Sequence, residues 1–172
     1  MEKSYTKSIG NKMPELVKCL SYAITFFGNA ITNKIPIRHL RSLYYKAMGA
    51  KLRIGTIPYR CVEVLLPMDL ELGDQVAVGW FAEFDYRGGI TIDYDTNISS
   101  HVKPITGSHD IDNSNYTVED KSFHIGHHCW SGTGVNILQG INIGDVAVAT
   151  AGTMFAMEVP AYTVVLGGLL SA

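Results

Sequence analysis

Apolar residues in the second half of the chain return every sixth position: residues 125–160 divide into IGHHCW, SGTGVN, ILQGIN, IGDVAV, ATAGTM and FAMEVP. The first positions are Ile125, Ser131, Ile137, Ile143, Ala149 and Phe155. The fifth positions are Cys129, Val135, Ile141, Ala147, Thr153 and Val159. An α-helix repeats its apolar stripe at about 3.6 residues and a half-buried strand at about 2, so neither produces this beat. A hexad repeat predicts a parallel β-solenoid, whose short coils bury their inner faces only by stacking on one another. The beat also runs through LGDQVA, VGWFAE and FDYRGG from Leu72, slips by two residues at Ile90-Thr91, and resumes as IDYDTN and ISSHVK from Ile92.

Between the two tracts, residues 106–123 (TGSHDIDNSNYTVEDKSF) break the period. A solenoid carries such insertions as surface loops, where binding chemistry concentrates. This one contains His109. Upstream, residues 13–32 read as a helix with Pro14 in its first turn, and residues 39–48 as a second helix stopped by Gly49. The first coil reads as irregular: the hexad register through Ile54, Arg60 and Leu66 is poor, and residues 62–66 look like a plain strand. Residues 1–12 are polar and expected to be mobile. The apolar stretch 162–172 is expected to cover the open end of the stack. The chain thus divides into a helical segment, 1–50, and a solenoid, 51–172.

Composition adds three constraints. A hydrophobic content of 47% with 17% charged residues excludes disorder. Seventeen glycines suit a chain whose many corners need positive φ. Three cysteines, Cys19, Cys61 and Cys129, lack metal or redox spacing, which suggests a reducing, cytoplasmic setting, with Cys129 a small buried hydrophobe. The net charge of −2 hides an asymmetry: residues 1–60 sum to +9 and residues 61–172 to −11. The basic half includes the apolar run 16–27, too short to span a bilayer. It reads either as a helix packed on the domain or as one lying on the cytoplasmic face of a membrane, aided by Lys7, Lys12, Lys18, Lys34, Arg38 and Arg41. The acidic solenoid argues against nucleic acid.

The stretches RSLYYKAMGAKLRIG, RGGITI, ITGSHDID, HIGHHCWSGTGVNILQGINIG and AGTMFAMEVPAYTVV resemble the hexapeptide-repeat O-acetyltransferases, which fold as left-handed parallel β-helices. The nearest likeness is to bacterial enzymes that acetylate sugars of surface polysaccharides, related to maltose and galactoside acetyltransferases. It covers residues 35–167. The resemblance implies a homotrimer with active sites between subunits, acetyl-CoA as donor, a carbohydrate acceptor and no metal. It makes His109 the general base that takes the proton of an attacking sugar hydroxyl, chemistry suited to an imidazole. It further implies that Asp85 contacts the acceptor, and that Trp130, Thr133 and Ala151 contact the cofactor. Each has a plainer reading: Asp85 as a turn residue, Trp130 as packing against the loop, Thr133 and Ala151 as small residues demanded by the coil. Asp110 and Asp112 would orient the loop or the histidine ring by hydrogen bonding, or more plainly cap turns. Met157 stands where the family carries a lysine, and residues 166–172 lack the family's basic groups. A diverged structural or carbohydrate-binding solenoid with a weakened CoA site therefore stays open as an alternative. A zinc hydratase on the same fold is disfavoured, because His101, His109, His124, His127 and His128 form no three-ligand set on the hexad faces.

Overall fold

The structure is a computed structural model that describes residues 14–65, 67–85, 87–167 and 169–171. The expectations for residues 1–12 and for Met13, Leu66 and the Lys18 side chain lie outside these residues. Five complete coils and part of a sixth stack into a prism. The first coil contains β1 (Lys51–Leu52), β2 (Ile57–Pro58) and β3 (Glu63–Leu65); the second β4 (Leu70–Leu72), β5 (Ala77–Val78) and β6 (Glu83–Asp85); the third β7 (Ile90–Ile92), β8 (Asn97–Ile98) and β9 (Lys103–Pro104). A hairpin, β10 (Gly107–His109) and β11 (Val118–Asp120), interrupts. The fourth coil holds β12 (Phe123–Ile125), β13 (Trp130–Ser131) and β14 (Asn136–Ile137), and the fifth β15 (Asn142–Ile143), β16 (Val148–Ala149) and β17 (Met154–Phe155). The sixth holds β18 (Val164–Leu166), against which β19 (Leu169–Ser171) folds back antiparallel.

Strands of successive coils pair in parallel to build three faces. Face one is β1-β4-β7-β12-β15, face two is β2-β5-β8-β13-β16-β18, and face three is β3-β6 followed by β9-β14-β17, bridged at Asp85 and Ile105. All twelve hexad positions expected to point inward between Ile125 and Val159 are buried. The Ser131 hydroxyl, unusual in such a core, accepts the Ser99 N–H at 3.3 Å. Cys129 is buried, and burial pushes its thiol pKa up, so it stays an unreactive thiol.

The inward ladder explains the slip in the beat. From face one to face two, and from face two to face three, the step is always six residues, as in Leu72, Val78 and Phe84 or Ile125, Ser131 and Ile137. The third corner, between face three and face one, is irregular. It takes eight residues from Val64 to Leu72 and from Phe84 to Ile92, twenty-one from Pro104 to Ile125, and six from Ile137 to Ile143. The slip and the loop are thus two events at one edge of the prism.

Two expectations are corrected. The first coil is regular: Leu52, Pro58 and Val64 face inward, and Ile54 is 84% exposed. Pro58 hid the register. It sits inside without breaking the ladder, because the bonds to the next coil come from the Ile57 and Tyr59 N–H groups. The expectation for the glycines holds only in part: Gly49, Gly55, Gly89, Gly134, Gly140, Gly152 and Gly167 do sit at positive φ, but they are not alone in doing so. Gln75, Phe81, Asp95, His101, His128, Val146 and Tyr162 occupy corners at positive φ without being glycine. Gly73, Gly79, Gly132 and Gly144 are instead held to glycine by the next coil, whose backbone lies 2.4–2.6 Å from where a Cβ would stand.

Helix α1 spans Glu15–Ile31 and α2 spans Arg38–Ala47, each a residue or two off the expected bounds. A turn of 3₁₀-helix, Thr32–Lys34, and Pro36 separate them. They cover the first coil, α1 against β3 and α2 against β1 and β2. The joint is polar and buried. Arg41 donates to the Pro58 carbonyl from Nε at 3.3 Å and Nη2 at 3.1 Å, and from Nη1 to the Ile35 carbonyl. The Tyr45 hydroxyl donates to the Val62 carbonyl at 2.7 Å and meets the Asn33 side chain. Arg41→Met keeps the apolar stem but strands these carbonyls. It is expected to destabilise the protein by about 2–3 kcal/mol in a denaturant titration.

Candidate functional site

His109 ends β10, exposed, on the hairpin that leaves the third corner. Its Nδ1 lies 2.8 Å from the Tyr116 carbonyl oxygen. A carbonyl only accepts, so Nδ1 carries a proton and, in the neutral ring, Nε2 holds the lone pair. The partner was not legible as a side-chain pattern, since it is a backbone group. The turn that returns it is foreshadowed by the polar run 110–115: Asp110 Oδ1 accepts the Asp112 N–H and Asn113 Oδ1 the Asn115 N–H, both at 3.0 Å. Asp110 and Asp112 therefore shape the turn, and neither carboxylate is the ring's partner in this arrangement.

The hairpin is rooted on the second coil. Thr106 Oγ1 donates to the Asp85 carbonyl at 2.6 Å and accepts the Gly88 N–H at 2.9 Å. Arg87 grips the Asp85 carboxylate through Nε at 2.9 Å and Nη2 at 2.6 Å, a bidentate pair that pushes the arginine pKa up. The guanidinium lies flat on Gly107, where a Cβ would stand 2.2 Å from Nη2. Sequence reading singled out Asp85 but missed Arg87, which links that carboxylate to the base of the loop.

Asp85 also borders a groove of about 470 Å³ between α1 and face three. Tyr22 and Phe26 form the helix wall, and Glu63, Glu83 and Lys103 the sheet wall. Thr25, buried in the same wall, has an Oγ1 without a hydrogen-bond partner.

Trp130, Thr133 and Ala151 lie elsewhere. Trp130 stands on face two, 54% exposed, and its indole N–H donates to Ser99 Oγ at 3.3 Å. Thr133 and Ala151 are exposed in stacked turns at the second corner, between faces two and three. Beside them Gly134 and Gly152 open onto free space, where an added Cβ meets nothing within 4 Å. Trp130 and this strip of small residues form an open ledge along the second corner. The structure therefore separates the expected residues into two sets, His109 with Asp85 around the third corner and face three, and Trp130 with Thr133 and Ala151 around the second.

The histidines of the first corner form a different arrangement. His124 Nε2 meets Asp93 at 2.9 Å, His127 meets Asp145 at 3.3 Å and His128 meets Asp95 at 3.7 Å, with Tyr94 stacked on His127 at 4.9 Å. Among the described residues no group of three or more such side chains is placed to hold a metal ion.

No protein-family model matches the chain. It is 32% identical over 127 residues to the "Putative colanic acid biosynthesis acetyltransferase WcaF" of Escherichia coli K12, covering 74% of this chain and 70% of that protein, and equally to its Shigella flexneri counterpart. Among solved structures, a hexapeptide-repeat acetyltransferase of Vibrio cholerae complexed with acetyl coenzyme A superposes with a TM-score of 0.83 at 19% identity, over 90% of this chain and 86% of the other. A galactoside acetyltransferase in complex with coenzyme A gives 0.77 at 18% identity, over 89% and 77%. A maltose O-acetyltransferase of Clostridium difficile 630 gives 0.75 at 20%, over 93% and 87%. The structures share the fold and the sequence relatives establish the kinship: the chain belongs to the hexapeptide-repeat acetyltransferase family.

Proposed function

We propose that this protein transfers an acetyl group from acetyl-CoA to a sugar hydroxyl in the biosynthesis of a surface polysaccharide, with His109 as general base. The observation that carries the reading is the hydrogen bond from His109 Nδ1 to the Tyr116 carbonyl, which leaves Nε2 as the nitrogen able to take a proton in the neutral ring. A sugar hydroxyl attacks a carbonyl only as its proton departs, and Nε2 takes that proton. Acetyl-CoA, when bound, supplies an activated acyl group with a thiolate leaving group. The imidazolium then returns the proton to the departing sulfur, so no acyl-enzyme is required. The ledge of Trp130, Thr133 and Ala151 holds the thiol arm in this reading. The groove takes the acceptor: Tyr22 and Phe26 offer apolar faces to a sugar ring, and Asp85, fixed by Arg87, keeps capacity for a hydroxyl donor.

The two sets of residues occupy different corners, so we propose that they meet across subunits of a homotrimer. We place the protein in the cytoplasm, touching the inner membrane face through its N-terminal helix. A melting titration tests the donor half. Acetyl-CoA at about 100 times its dissociation constant stabilises a folded state that alone binds it by about 2.7 kcal/mol. A clear rise in melting temperature is expected, and no rise at millimolar acetyl-CoA would favour a structural or carbohydrate-binding role.

A further inference from the structure

The outer face of the two helices is apolar and uncovered. Thr25 is buried against the solenoid and marks the inward side of α1. At roughly 100° per residue, Leu16, Leu20, Ile24, Phe27 and Ile31 fall on the side turned away from it and toward α2. The helices touch where Tyr44 packs over Gly28. On α2, Arg41 and Tyr45 point inward, so Leu40 and Leu43 fall on the outer side, next to the α1 stripe. All of these leucines, isoleucines and phenylalanines are exposed, Leu16 by 82%, Phe27 by 63% and Leu43 by 63%. The α1 stripe alone extends about 22 Å. Isolated apolar residues on a surface are ordinary, but a continuous face of this extent marks a contact.

Its border is cationic. Lys34, Arg38 and Lys46 are exposed, and among the described residues none of them forms an ion pair. Residues 32–50 contain no Asp or Glu, and the single acid of α1 is Glu15 at its start. No helix of the described residues is long and apolar enough to cross a membrane.

We propose that α1 and α2 lie side by side in the interface of an anionic lipid bilayer, the leucine and phenylalanine stripe in the acyl boundary and Lys34, Arg38 and Lys46 on the headgroups. This gives the membrane contact proposed above its residues and its lipid chemistry, and it rests on that reading. A contact in which these helices met the same helices of a second copy would set uncompensated cations against each other, whereas an anionic surface neutralises them. The other flank of α1 supplies Tyr22 and Phe26 to the groove beside Asp85.

Vesicle flotation tests this without reference to acetyl transfer. The full chain should float with vesicles of phosphatidylcholine and phosphatidylglycerol, and much less with phosphatidylcholine alone. Each headgroup contact is worth roughly fivefold in affinity, so Lys34→Gln with Arg38→Gln and Lys46→Gln should weaken binding to anionic vesicles by about two orders of magnitude. Leu20→Asn with Phe27→Asn should abolish flotation while leaving the melting temperature in place, since both side chains are exposed. Three results would overturn the proposal: wild-type protein that stays with the buffer, flotation indifferent to both sets of changes, or wild-type protein that ignores vesicles but loses an oligomer on sedimentation when Leu20 and Phe27 are changed.

Discussion

His109→Ala should lower the rate of acetyl transfer by about 10²- to 10⁴-fold, the range typical of losing a positioned general base. The loss should fall on kcat, with little change in the KM for acetyl-CoA, because the proposed donor ledge lies at another corner of the prism. Stability should move by no more than about 0.5 kcal/mol, since the side chain is exposed and its hydrogen bond among the described residues is to a backbone carbonyl. Tyr116→Gly separates the two possible roles of that tyrosine. It keeps the carbonyl that fixes the imidazole tautomer, and glycine suits the φ of 46° at this position. Activity within a few-fold of wild type is expected. His109→Ala protein that retains full transfer in a steady-state assay would sink the assignment of the base.

Gly79→Ala should destabilise the fold by about 3 kcal/mol in a denaturant titration. The new Cβ would stand 2.5 Å from Ser100 N and 2.5 Å from the Ser99 carbonyl carbon, both backbone atoms of the next coil. Neither can rotate away, and Gly79 N–H already bonds the Ile98 carbonyl at 2.7 Å across the same gap. Relief requires the third coil to lift off the second. Gly134→Ala is the informative control. Gly134 has a φ of +73° but opens onto free space, so alanine there meets only backbone strain, about 1–2 kcal/mol. Equal costs for the two changes would mean that corner conformation, and not coil spacing, holds the glycines.

The hexad was legible because one rule governs two of the three corners: six residues, of which the first and the fifth turn inward. The same rule located the loop with His109 by its own failure. What stayed hidden was whatever does not travel through side-chain polarity. The Tyr116 carbonyl that fixes the imidazole is backbone. Pro58 counts as a strand-breaker in a sequence pattern, yet it fills an inward site at the edge of the stack. Positive φ at Gln75, Asp95 and His128 is borne by ordinary side chains, and nothing in the pattern distinguishes the glycines at positive φ from Gly73, Gly79, Gly132 and Gly144, which answer to the distance between coils. The division of the candidate residues between corners follows from strand order, and that order depends on counting an irregular edge correctly.

That edge also bears on how such a protein changes over time. At two corners an inserted residue would throw every later inward position onto the wrong face, so length variation there is punished by loss of the core. At the third, the chain already accommodates six, eight and twenty-one residues between inward positions without disturbing the ladder. New loops can be grafted along this seam while the prism keeps its shape. The loop carrying His109 lies on this seam, so its length and sequence can vary while the ladder of inward positions stays in place.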